Sequence, residues 1–512
     1  MKNIIYALCA FALWSCNNDD DTGGFIAQST EVNFQRGATI QVGGEGSAEI
    51  SAYDKVSKKL FVINAAANQV NVYDLTDPSI PVEQPAIVLM TGAPNGVAVG
   101  NGIIAVAVEN DNKQLNGTVV TYDIATQNLL NTFTVGALPD MVTFTPDGLK
   151  IIVACEGEPN DDYTIDPEGS VGIIEVATGN VQLLSFASLN GQEESLRNEG
   201  VRIFGPGASV AQDLEPEFIV ISEDGKTAFV TCQENNALVS IDIETAAINY
   251  IKAYGTKDYN DPQNSLDASD RDNATELKNW PVQSFYHPDG MAIVNFGGLE
   301  LIVTANEGDA RDYDGYSEEQ RLKNITLDPT AFPDAATLQM DENIGRLKVT
   351  TANGDIDGDG DYDVIYGYGA RSFSFWTTSG DLYYDSGNSI AANTLAINPS
   401  RFNDEDGRSD DKGAEPEAVA VLEIKSSIAK LSPASNRFIL AVAMERTDGV
   451  LLYDVTNPTD PVFLTWLQAM GDEAPESLLM VPREDSGNDK ALLIVSNEDS
   501  GTVNIYQNMV TD

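Results

Sequence analysis

One phrase recurs seven times along this chain and constrains its fold more than any other property. It runs: small residue or carboxylate, Pro, then Glu, Asp or Asn; an apolar strand; a polar turn; a second apolar strand; then Glu. Glu215-Pro216-Glu217 leads to "TAFVTCQE", Glu415-Pro416-Glu417 to "FILAVAME" and Ala474-Pro475-Glu476 to "ALLIVSNE". His287-Pro288-Asp289 leads to "LIVTANE", Leu138-Pro139-Asp140 to "IIVACE" and Ala93-Pro94-Asn95 to "IIAVAVE". A weaker first copy runs from Glu45 through "KLFVINAA". Self-similarity at a period of roughly 40 to 50 residues, with short alternating strands, predicts an all-β chain folded as a β-propeller.

Each copy parses into four strands. In the second, strand a lies near 96–99, strand b near 103–108, strand c is "TVVTYDI" and strand d is "NLLNTFTV". Turn signals such as Pro146-Asp147-Gly148 and Glu223-Asp224-Gly225 separate them. Strand c tends to end in an aromatic residue and Asp, as in Tyr73-Asp74, Tyr122-Asp123 and Tyr453-Asp454. The last copy stops after strand c, and residues 33–43 match a strand d without a preceding a, b and c. The N-terminal strand is therefore expected to complete the final blade and remove an exposed edge. In the fifth copy "SFSFWTTSGDLYYDS" supplies c and d after an insertion at 307–370, giving seven blades. An eighth would follow if "IGRLKVT" and "DVIYGYG" were that copy's outer strands. The long segments 157–169, 188–213, 255–286, 307–370 and 386–414 all join d to a or b to c, so they open on one face. Long loops on one side of a rigid scaffold mark a working surface.

Charge narrows the partners. With 29 Lys and Arg against 79 Asp and Glu, the net charge is −50. Such a surface repels nucleic acid and anionic membranes and attracts cations. The single histidine, His287, rules out poly-His metal sites. Cys155 and Cys232, at matching positions of neighbouring copies, are expected to be buried thiols and not a bridge.

The N-terminus reads as a targeting segment. Lys2 precedes an apolar run, and Leu13-Trp14-Ser15-Cys16 resembles a lipobox. The expected organisation is a lipoprotein signal peptide at 1–15, a lipidated flexible tether at 16–30 and the propeller at 31–512. Cys16 would carry the lipid. Asn17-Asn18-Asp19-Asp20-Asp21 resembles an acidic tag that sends lipoproteins to the outer surface, so the expected location is the outer membrane, facing the exterior.

Two constellations carry chemistry. In "DIDGDGDYD" the carboxylates of Asp355, Asp357, Asp359 and Asp363 alternate around Gly360, and Asp361 would add its carbonyl; such a loop can wrap Ca²⁺ in oxygens. Position 12 is Tyr366 instead of Glu, which departs from an EF-hand. The second is a ring of carboxylates. Glu217, Asp289, Glu417 and Glu476 open strands a, while Glu109, Glu156, Glu234, Glu307, Glu445 and Glu498 follow strands b. Carboxylates this crowded bind cations, pair with bases or share protons. Arg311, Arg371, Arg408, Lys412 and Arg446 are the candidate bases. His287 fills a repeat slot held elsewhere by Glu or Ala; at a channel mouth it could also move a proton.

"HPDGMAIVNFGGLELIVTANEGDARDYDGYSEEQRLKNITLD", "GDIDGDGDYDVIYGYGARSFSFW" and "RSDDKGAEPEAVAV" together resemble the choice-of-anchor I family. That family is similar to mesenchyme-specific cell-surface glycoproteins and to some atypical alkaline phosphatases. The resemblance implies an extracellular, calcium-linked propeller and carries over no catalytic residue. The first expectation is a lipid-anchored, monomeric surface propeller whose acidic face binds a cationic or calcium-bridged ligand. The second is a calcium-dependent phosphohydrolase in which Glu217, Glu307, Asp309, Glu417 and Glu445 hold Ca²⁺, Arg311 or Arg408 neutralises phosphoryl charge, and His287 is a further candidate. The third is a mineral- or matrix-binding protein using the same face.

Overall fold

The computed structural model describes residues 32–425 and 436–510. The expected leader 1–15, the lipidation site Cys16 and the tether 16–30 lie outside the described residues. No helix among the described residues is long and apolar enough to cross a membrane.

The chain is all-β, as its repeats predict, and the described residues form seven four-stranded antiparallel sheets. Their second strands, such as Lys59–Asn64, Ile103–Val108 and Lys150–Cys155, are near-continuous apolar runs. Such runs suit strands buried on both faces, and these are almost wholly inaccessible. Four of the seven third strands end on an Asp whose carboxylate accepts a backbone N–H from the turn that follows. The distances are 2.8 Å for Thr76 to Asp74, Thr126 to Asp123 and Thr245 to Asp242, and 2.9 Å for Thr456 to Asp454. The aromatic–Asp signature is thus a turn device: the ring packs inward while the carboxylate closes the hairpin.

Phe34–Gln41 pairs antiparallel with Thr502–Asn508, in a register that sets Thr39 opposite Asn504. The seventh sheet is therefore built from both ends of the chain. The first strands of successive sheets lie against one another in order, and that of the seventh, Pro475–Val481, lies against that of the first, Ser51–Asp54. Seven apolar clusters fill the spaces between neighbouring sheets. One joins the first and second sheets through Phe61, Val72, Val106 and Tyr122. Another joins the seventh and first through Ile40, Leu60, Leu492 and Ile505.

The insertion at 307–370 adds no eighth four-stranded sheet. Lys348–Thr350, within "IGRLKVT", pairs with Glu319–Arg321. Tyr366–Gly367, within "DVIYGYG", joins Gln283–Phe285 in a small three-stranded sheet. The segments 255–286 and 307–370, which the sequence treats as separate loops, share one core of Tyr259, Leu266, Leu322, Phe332, Leu347 and Ile365. Cys155 and Cys232 are buried free thiols.

Candidate cation-binding face

The Pro–acid phrase works through backbone geometry. In the second, third, sixth and seventh sheets the pairing of the first two strands shifts register immediately after the proline, at Pro94/Gly96, Pro139/Val142, Pro416/Val419 and Pro475/Ser477. Such a bulge re-aims a side chain; the first residue within each is Asn95, Asp140, Glu417 or Glu476, followed by Met141 in the third sheet and Ala418 in the sixth. The residue before proline takes a positive φ in four copies: 47° at Leu138, 41° at His287, 49° at Glu415 and 53° at Ala474. A non-glycine residue held there costs about 1–3 kcal/mol and clusters at functional sites. Glycine lets the first strands close up at the same level. A Cβ on Gly290 would meet the Glu417 carbonyl at 2.6 Å, and one on Gly96 the Asp140 carbonyl at 2.4 Å.

The result is a cavity of about 520 Å³ walled mainly by the first strands of the sheets or the residues just before them, with Glu49, Asp140, Asp289, Glu417, Glu476 and Glu498 on its lining. Beside it, two sets of carboxylates have oxygens within 4.8 Å of one another: Asp289, Glu307 and Glu417, and Glu307, Glu415 and Glu445. Glu307 belongs to both. Its other neighbour is Gln233, whose amide donates to Oε2 at 2.7 Å. The donor set is all oxygen and anionic, which fits a hard divalent cation without distinguishing calcium from another.

Crowding and burial set the electrostatics. Burial, reinforced by neighbouring carboxylates, holds Glu307, Glu417 and Glu476 well above the usual range. Burial pushes Glu49 up to about 8 and Asp140 to about 7. Glu445 rises to about 7 because its burial outweighs Arg446. Groups so placed hold a proton or exchange it for a cation.

Bases gather on one flank. Arg446 donates to Glu415 at 3.0 Å and reaches Glu445 at 2.8 Å. Arg408 bonds Glu415 at 2.7 Å and Asp411 at 2.8 Å. Lys412 contacts Asp309. Asp309, Arg408, Glu417 and Glu445 thus stand with Glu307 in one neighbourhood.

Three sequence candidates lie elsewhere. Glu217 is off the cavity lining and faces Glu234, each with one oxygen lacking a donor. Arg311 is not free to meet a phosphoryl group. Its side chain is 1% exposed and is held by Asp213 and by Glu215 at 2.9 Å, over the ring of Phe204. His287 is not at a channel mouth. It is fully buried, stacked on Phe285 at 5.4 Å, with Nε2 3.2 Å from Arg202. Burial, and then Arg202, hold its pKa well below the usual value, so it stays neutral.

The aspartate loop divides in two. Asp355, Asp357 and Asp359 bring their carboxylates together, and Asp355 is pre-shaped by the N–H groups of Gly358 at 2.8 Å and Gly360 at 3.1 Å. Asp361 and Asp363 instead converge on Asp328, so Asp361 offers its carboxylate and not only a carbonyl. Sequence reading missed Asp328, which no spacing rule connects to the loop. Glu49 is equally hidden, because the first copy lacks the proline and Glu45 fits its start as well. Glu415 was visible as the one carboxylate before a Pro-Glu pair beside Glu215, but was read only as repeat variation.

Comparison with known proteins follows this geometry. A family model described as the choice-of-anchor I domain matches residues 49–458. Gigasin-3a of Magallana gigas is 28% identical over 199 residues, an alignment covering 33% of this chain and 66% of that protein's length. Among solved structures, Kuenenia stuttgartiensis hydrazine synthase aligns with a TM-score of 0.48 at 12% identity, covering 91% of this chain and 97% of the other. The Myceliophteria thermophila Cps50 (Swd1) β-propeller domain aligns with a TM-score of 0.46 at 9% identity, covering 94% and 100%.

Proposed function

The chain belongs to the choice-of-anchor I family, and from that premise we propose that it is a lipid-anchored, calcium-binding surface protein. In this reading the seven sheets are the blades of a β-propeller closed by Phe34–Gln41, and the acidic face recruits a ligand through bound cations. The observation that carries it is Glu307, one carboxylate common to two triads beside a cavity that other carboxylates line. Support for the anchor is the lipobox-like sequence at Cys16, and membrane partitioning of Cys16→Ser checks it: retention in the membrane fraction would count against lipidation.

Calorimetric titration of the protein with Ca²⁺ tests the face. Glu307→Gln should weaken binding at least tenfold, since it withdraws a ligand from both triads at once. Glu244→Gln, on an exposed carboxylate elsewhere, should leave it unchanged. Equal affinity for Glu307→Gln and the parent would remove the site.

A second reading, a calcium-dependent phosphohydrolase, draws on the bases flanking the triads. Bound calcium would supply Lewis-acid polarisation of a phosphoryl oxygen. Lys412, with Arg408 and Arg446 behind it, would orient the remaining oxygens. Arg311 has no part in this version. Hydrolysis of p-nitrophenyl phosphate that is lost with chelator and restored by Ca²⁺ is the expected result; no turnover in either condition rejects it.

A further inference from the structure

The cavity has two kinds of wall. At one end stand Glu49, Asp140, Asp289, Glu417, Glu476 and Glu498. The flanking bases are engaged with Asp309, Glu415, Glu445 and Asp411, and among the described residues no ion pair reaches any of the six. Glu417 is only 8% exposed, lines the cavity, and donates its carboxyl proton to Asp289. From this end the first strands run inward, and the lining becomes Val97, Met141, Phe218, Val419 and Leu478. At about 3.3 Å per residue, Glu476 to Leu479 alone spans roughly 10 Å of depth. The volume of about 520 Å³ falls in the range of small-molecule sites.

A bare metal ion would satisfy the carboxylates and leave the apolar wall facing water. A carboxylate or phosphate ligand would be repelled. An amphipathic cation matches both zones: its N–H groups make charge-assisted bonds to the acidic end, and its methylenes leave water along the apolar one.

We propose that this cavity binds an aliphatic primary ammonium, with its head among Glu49, Glu417 and Glu476 and its alkyl chain against Val97, Met141 and Leu478. The inference rests on the reading of this face as cation-binding and specifies an organic occupant for the cavity, whose wall shares Asp289 and Glu417 with one metal triad. The same chemistry is offered by free alkylamines and by the lysine side chain of another protein.

Calorimetry on the full-length protein tests it with methylamine, n-butylamine, n-hexylamine, 1-hexanol, Nα-acetyl-lysine amide and CaCl₂. Affinity should rise with chain length, by up to about fourfold per buried methylene. n-Hexylamine should bind with 1:1 stoichiometry at least tenfold more tightly than methylamine, and 1-hexanol should show no saturable binding. Glu476→Gln should weaken n-hexylamine at least fivefold. Leu478→Ala should flatten the chain-length series while sparing methylamine, a split that general destabilisation would not produce. The wild-type series needs no variant and decides the matter if either fails to fold. Acetyl-lysine amide binding like n-butylamine would identify a lysine side chain as the source; binding of free amines alone would identify a small molecule. If Ca²⁺ binds but n-hexylamine is no tighter than methylamine, the amine site is wrong and the cation-binding reading stands. If neither Ca²⁺ nor any amine binds, both fall.

Discussion

Glu49, Asp140, Glu234 and Glu445 are the residues whose protonation most directly reports the strain of this face. Each is raised by burial, Glu49 to about 8 and the other three to about 7. A carboxyl that binds its proton more tightly folded than unfolded stabilises the fold while protonated. That contribution is complete below the ordinary carboxylate pKa and is lost as pH rises through 7 to 8. The turn aspartates Asp74, Asp123 and Asp242 shift the other way, lowered by hydrogen bonds from the following threonines. They are already ionised by pH 5 and do not oppose the trend above it. The chelated protein should therefore lose roughly 2 °C or more in Tm between pH 5 and pH 8.5, and a divalent cation should reduce that loss. A Tm that is flat or rises over this range with chelator would show that these groups do not share their charge as described. At this scale the sequence was a partial guide. Glu307, Glu417 and Glu445 were legible because the repeat puts them at strand ends. The single histidine was legible as a repeat variant, but nothing in its position announced that Arg202 and Phe285 would enclose it.

Strands and turns were the most readable elements, since each second strand is a short apolar run between turn signals and four of the third strands close on an Asp. The bulges were not readable: proline marks where a strand begins, and only the backbone pairing shows that the next residue is turned out of the ladder. The lobe formed by 255–286 and 307–370 was also hidden. Its core residues, among them Tyr259, Leu266, Leu322 and Leu347, are isolated apolar positions in polar surroundings and show neither a strand nor a helix period. The aspartate loop belongs to this lobe. Its second triad ties Asp361 and Asp363 to Asp328, and Asp328 accepts the N–H groups of Thr330 and Ala331 at the start of the next turn. A cation there would hold two segments of the lobe together. Replacing Asp357 and Asp359 by Ala should lower the Tm of the lobe by several degrees in calcium and change it little in chelator, read by differential scanning calorimetry. Equal melting of parent and variant in calcium would assign the loop no structural ion.

For the whole molecule, the sum of 79 acidic and 29 basic residues is less informative than where the acids lie. Seven sheets of one design, packed through apolar clusters from each to the next and from the seventh back to the first, bring Glu49, Asn95, Asp140, Asp289, Glu417 and Glu476 of six repeats to one cavity, while the fourth repeat lines it with Phe218 instead of Glu217. Joining the ends of the chain in one sheet follows from a repeat that starts on its fourth strand, which is why residues 33–43 could be placed from sequence. A repeat unit therefore becomes a candidate site: a single carboxylate at a strand start is a capping residue, and several around one cavity form an acidic cluster capable of coordinating a divalent cation. Diffraction from calcium-soaked crystals, with anomalous differences collected to locate the ions, tests this most directly. Anomalous peaks are expected within bonding distance of Glu307, shared with Asp289 and Glu417 or with Glu415 and Glu445. Ions confined to the 355–363 loop, with none at Glu307, would contradict it.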